Sequence, residues 1–183
     1  MSGGISSNSV SGGSGDPRDS LWTRRFRPRP EPRIRLACLP HAGGSASFFA
    51  GLPALLGDDV EVLAVQYPGR QDRRSEPFAP SMDALARDVV SALLPWTDRP
   101  LAVFGHSLGA VLGYEVARGL QSAGRTPAAL FASGRRAPSR QRAETAHRLD
   151  DDGLLRETRA LSGTDSRVFA DEGLNRLAVP WAG

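Results

Sequence analysis

The sequence predicts an α/β fold in which a mostly parallel sheet is flanked by helices. Three observations carry that expectation. Short apolar, β-branched runs alternate with segments whose apolar residues recur at helical spacing. The run Leu101-Ala102-Val103-Phe104 is followed at once by Gly105-His106-Ser107-Leu108-Gly109-Ala110, which reads as strand end, tight turn carrying a serine, and helix start. Glycine on both sides of such a turn lets the backbone bend sharply enough to lift the Ser107 hydroxyl above a sheet. Finally, 183 residues suffice for one core of ordinary size and are too few for two comfortable domains.

Taken in order, residues 1–20 are dominated by Gly, Ser, Asn and Asp, with Ile5 and Val10 almost alone as sizeable apolar side chains. Such a segment buries too little surface to offset its ordering entropy and is expected to be a disordered tail. Residues 24–35 alternate Arg and Pro, an extended lead-in to a strand over Ile34–Leu39. A second strand is expected over Val60–Val65, ended by the turn signal Tyr67-Pro68-Gly69. Met82, Leu85, Val89 and Leu93 share one helical face and predict a helix over Met82–Leu94. A third strand follows over Leu101–Gly105, then a helix over Ser107–Leu120 and a fourth strand over Ala128–Ala132. Beyond Gly134 the pattern is polar and helical, with Leu149, Leu154, Leu155, Leu161 and Val168 as packing points and no further convincing strand. The expected division is a tail at 1–20, a core at 21–142 and a helical lid at 143–183.

Composition narrows the function classes. All 23 basic residues are arginine, and the net charge is only +3 despite a pI near 9.9. The arginines are scattered, and no zinc-finger or RNA-binding signature accompanies them, so nucleic acid is not an expected partner. No stretch of about 18 apolar residues is present, so no membrane helix is expected. Cys38 is alone, which excludes an internal disulfide and fits a reducing compartment. With no apolar leader at the N-terminus, the expected address is the cytoplasm.

The short pattern around Ser107 gains weight from a second stretch, Pro40-His41-Ala42-Gly43-Gly44-Ser45, directly after the first long strand. A serine hydrolase of this architecture places its second oxyanion-hole amide there. The expected donors are the backbone N–H groups of Ala42 and Leu108, with Gly105 and Gly109 as the elbow glycines. A phosphate-binding loop is the competing reading, but neither G-x-x-x-x-G-K-[ST] nor G-x-G-x-x-G spacing is present.

These motifs resemble the type II thioesterases, the stand-alone α/β-hydrolases that accompany polyketide synthases and nonribosomal peptide synthetases. The resemblance runs through Leu21-Trp22 to Arg25-Phe26, Cys38 to Ser47, Tyr67-Pro68-Gly69-Arg70-Gln71-Asp72-Arg73, the elbow, and Ser133 to Ser139, over about residues 21–180. It implies an α/β-hydrolase-type sheet and hydrolysis of acyl thioesters from the phosphopantetheine arm of a carrier protein. Ser107 would be the nucleophile, and no cofactor or metal would be needed. The implied protein is monomeric, with a carrier protein as partner and neither nucleic acid nor membrane.

The family's Asp and His come after the elbow, the His in a Gly-Gly-His stretch that this sequence lacks. Measured against that pattern the chain is expected to be C-terminally incomplete, ending in a partial lid before the last strands. Of its histidines, His106 should point away from the Ser107 hydroxyl, and His41 lies in a loop that supplies an amide. His147 sits beside Asp150, Asp151 and Asp152, a run that reads as a solvated helix entry or as an improvised triad. An alternative is therefore a catalytically incomplete remnant that at most binds carrier protein; another serine hydrolase, such as an esterase, also shares the elbow. Arg70, Arg73 and Arg74, with Arg135, Arg136, Arg140 and Arg142, read either as solvated loop charges or as a surface steering an acidic carrier.

Overall fold

Short, nearly continuous apolar runs, buried on both faces, build a five-stranded sheet. The computed structural model describes Asp16 and residues 18–135. The elements are β1 (Thr23–Arg24), β2 (Ile34–Leu39), α1 (Leu52–Leu55), β3 (Val60–Val65), α2 (Met82–Leu93), β4 (Leu101–His106), α3 (Leu108–Ser122) and β5 (Ala129–Ser133). Their order across the sheet is β1-β3-β2-β4-β5, with β1 antiparallel to β3 and every other pairing parallel. This is the α/β class read from the sequence. The lid expected over 143–183, with His147 and Asp150 to Asp152, lies outside the described residues.

The sheet is covered on both faces, as parallel sheets require. Ala37 and Leu39 of β2, Leu63 and Val65 of β3, and Leu101 and Val103 of β4 turn to one side. There they meet Leu85, Val89 and Leu93 of α2 and Leu112, Val116 and Leu120 of α3. The alternate positions Leu36, Cys38, Val62, Ala64 and Phe104 turn to the other side and pack on Phe49, Leu52 and Leu56. Among the described residues β5 forms one edge, and its Phe131 is half exposed. No described helix is long and apolar enough to cross a membrane.

The two-residue β1 was not foreseen, being too short for a period-two signal inside an Arg/Pro-rich stretch. It forms because Thr23 and Arg24 pair with Val65 and Ala64 of β3. α2 begins where Ser81 caps it, its hydroxyl accepting from the Ala84 N–H at 3.1 Å. Replacing Ser81 by Ala should lower stability by about 1 kcal/mol, read from a denaturant midpoint.

Charge is buried at the end of the sheet remote from Ser107. Arg35 of β2 stands opposite Glu61 of β3, and both are almost fully buried. Glu61 accepts from Arg35 Nε at 3.2 Å, from Arg25 Nη1 at 3.1 Å and from the Arg29 N–H at 3.3 Å. Arg35 also donates to the Trp96 carbonyl and pairs with Asp98, whose carboxyl is held below the usual range chiefly by that guanidinium. The Arg18, Arg25 and Arg35 guanidinium groups lie 4.4, 5.0 and 5.2 Å from the Trp96 ring centroid. Arg18 further bridges Asp16 and Asp98, so these last residues of the Gly/Ser-rich stretch are held against the domain.

Candidate active site

The turn between β4 and α3 holds Ser107 at φ 55°, ψ −114°, a conformation that a residue with a Cβ adopts only at a cost of about 1–3 kcal/mol. Its N–H donates to the Ser133 carbonyl of β5 at 2.8 Å, and its own carbonyl accepts from the Ala110 N–H at 3.0 Å. Ser107 is half-buried. The flanking glycines are fixed by steric closeness. A Cβ on Gly105 would stand 1.9 Å from the Gly109 carbonyl oxygen, and one on Gly109 would stand 2.1 Å from that of Leu39. Helix α3 thus enters the sheet by passing directly over β4 and the end of β2. This close approach brings the Ser107 turn beside the chain leaving β2.

That chain is the Pro40–Ser47 loop. Gly43 sits at φ 76°, and the Gly44 N–H donates to the His41 carbonyl at 3.0 Å, so the backbone reverses there. Ala42 and Gly43 are exposed. Leu108 is the first residue of α3, a position whose N–H has no carbonyl one turn back within the helix.

The two described histidines meet over this loop. The His41 ring stands edge-on to Phe48 at 4.8 Å and to His106 at 6.0 Å, while Phe48 stacks on His106 at 6.2 Å. His106 Nδ1 is 3.1 Å from Ser133 Oγ. Among the described residues no carboxylate pairs with either imidazole. Burial, and secondarily the nearby His106, holds the His41 imidazole below the usual histidine range. The unfolded chain then takes up that proton at a higher pH than the folded one. His41 should thus contribute its full stabilisation above about pH 6.5 and lose it as the pH falls. The unfolding midpoint should therefore drop more between pH 7 and pH 5 in the natural chain than in His41→Phe.

Two other groups are assigned by their surroundings. Burial pushes the Cys38 thiol up to about 12, so it offers no thiolate nucleophile. Arg70 and Arg73 are only 6% and 5% exposed, which corrects the surface readings of these two arginines. Arg73 bonds Glu76 and the Gln66 carbonyl and covers the Trp22 ring, while Arg70 lies over Phe78. A charged stretch after a glycine turn reads as a solvated loop, whereas these two long side chains fold back against Trp22 and Phe78. Among the described residues no group of three or more His, Cys, Asp or Glu side chains could hold a metal.

The sequence profile of the Thioesterase domain family matches residues 34–182. The chain is 53% identical over 162 residues to thioesterase PikA5 of Streptomyces venezuelae, covering 87% of this chain and 58% of that protein. It is 46% identical over 165 residues to a probable cadicidin biosynthesis thioesterase of Streptomyces griseus, covering 90% of this chain and 46% of that protein. The chain therefore spans about half the length of these relatives. The solved structure of BorB, a type II thioesterase from the borrelidin biosynthetic cluster, superposes with a TM-score of 0.77 at 48% identity, covering 89% of this chain and 67% of the other.

Proposed function

The chain belongs to the thioesterase family, and we propose that it hydrolyses acyl thioesters carried on the phosphopantetheine arm of a carrier protein. The strained serine at the β4–α3 turn is the single observation that carries this reading. Ser107 Oγ attacks the thioester carbonyl, the C–S bond breaks, and the thiol leaves with a proton. Water then cleaves the acyl-serine ester and releases the acid. Ser107 is the nucleophile, and the Ala42 and Leu108 N–H groups receive the oxyanion, one such donor being worth about 3–4 kcal/mol in the transition state. The protein works in the cytoplasm as a monomer, with the carrier protein as its partner. The α/β-hydrolase-type sheet supports this reading, because it holds the elbow and the Pro40–Ser47 loop side by side.

The proposal is tested by intact mass after mixing with a propionyl-loaded carrier protein. A transient adduct of one propionyl group, mapped to Ser107 and absent from Ser107→Ala, is expected; a lasting absence of adduct and of released acid overturns it. One observation favours a second reading, a carrier-binding module without turnover. Neither described imidazole is oriented by a carboxylate, as a serine-activating base requires. Carrier binding by a folded protein that releases no acid would establish that reading instead.

A further inference from the structure

We propose that Tyr67, Gln66 and Gln71 are positioning residues that hold the Pro40–Ser47 loop in register with Ser107. The proposal rests on the hydrolase reading for its catalytic consequence. Three hydrogen bonds cross from the segment after β3 to this loop. The buried Tyr67 hydroxyl donates to the Pro40 carbonyl at 3.1 Å, two residues before the Ala42 amide. The buried Gln66 side chain accepts from the Ala46 N–H at 3.0 Å and is itself fixed by donating to the Arg70 carbonyl at 3.0 Å. Gln71 Nε2 donates to Ser47 Oγ at 2.7 Å. Both ends of the loop and its neighbour are therefore pinned from one side.

The supporting segment is itself tied down by close contacts and hydrogen bonds, which a positioning role needs. Gly69 at φ 75° lies so close to the Phe78 ring that an added Cβ would stand 2.3 Å from it. The Gly69 N–H donates to the Arg73 carbonyl at 3.0 Å, and Arg73 Nη1 donates to the Gln66 carbonyl at 2.9 Å. Gln71 is held at φ 44°, a second strained non-glycine residue, and from that backbone its amide reaches Ser47. Burial raises the Tyr67 hydroxyl far above the ordinary tyrosine range, so it stays a donor throughout the accessible pH range. By contrast Ala42 and Gly43 are exposed and have little packing of their own to hold them. An amide donor displaced by about 1 Å can cost on the order of 100-fold in rate.

The test compares the natural chain with Tyr67→Phe, which keeps the ring and removes the donor, and with the exposed-site variant Gln71→Ala. The substrate is propionyl-N-acetylcysteamine thioester, and amide hydrogen exchange over residues 41–46 is followed in parallel. Tyr67→Phe should lower kcat by about 10–100-fold with KM within about twofold, and Gln71→Ala by a smaller factor in the same pattern. Exchange should quicken over residues 41–46 and stay unchanged in α2 and α3. Unchanged exchange in the loop in both variants overturns the proposal, as does a change in KM with kcat retained. Should the natural chain release no acid, the hydrolase reading fails while the exchange arm still decides whether these side chains hold the loop.

Discussion

Ser107→Ala is expected to lower thioester turnover by on the order of 10⁴-fold or more while leaving the fold intact. On the proposed mechanism the loss is large because the serine supplies the bond-forming atom. The Cys38 thiol is fully buried and held protonated to about pH 12. The flanking positions must be glycine, since Cβ atoms there would strike the Gly109 and Leu39 carbonyls. The fold survives because alanine tolerates the positive φ of this turn no worse than serine does, and only a half-buried hydroxyl is removed. On the same mechanism, rates above the uncatalysed reaction will persist at a low level from the proposed Ala42 and Leu108 donors and from substrate binding. Comparing kcat/KM of the two proteins, with circular dichroism confirming matched folds, measures the effect.

Glu61→Ala is expected to cost about 3–5 kcal/mol of stability. Glu61 is 1% exposed and answers two guanidinium groups and one backbone N–H. Its removal leaves Arg35 buried with, among the described residues, the Trp96 carbonyl and the half-exposed Asp98 as its remaining partners. A buried cation that loses its buried counter-charge retains its desolvation penalty with much of the offsetting attraction gone. Replacing the pair together, as Arg35→Met with Glu61→Leu, should recover much of the loss, because neither charge is then stranded. Chemical denaturation of the single and double variants separates the two effects. A double variant as unstable as Glu61→Ala would mean that shape at this site matters more than charge.

The elements legible in the sequence were those with a period. The strands at Ile34–Leu39 and Val60–Val65 and the helix from Met82 were placed to within a residue, because each buries a full face and carries its apolar residues at the matching spacing. The tight turn from β4 into α3 was legible because it leaves no room for a Cβ at Gly105 or Gly109, as the close approaches at both glycines show. What stayed hidden was non-local. β1 exists only through its partner β3, and no pattern inside two residues announces it. Arg70 and Arg73 look like loop charges until the chain folds round them. Gln66 and Tyr67 continue the buried run of β3, but their hydrogen bonds to the Pro40–Ser47 loop link segments that are 20 and 27 residues apart. A polar residue immediately after a buried strand, followed by a glycine turn, was the one available hint.

The most direct measurement is the release of free carrier thiol and free acid from a propionyl-loaded carrier protein by the folded natural chain, with Ser107→Ala as the parallel control. Serine-based thioester hydrolysis predicts both products in equal amounts from the natural chain and background release from the variant. A folded natural chain that releases no more thiol than Ser107→Ala would contradict it.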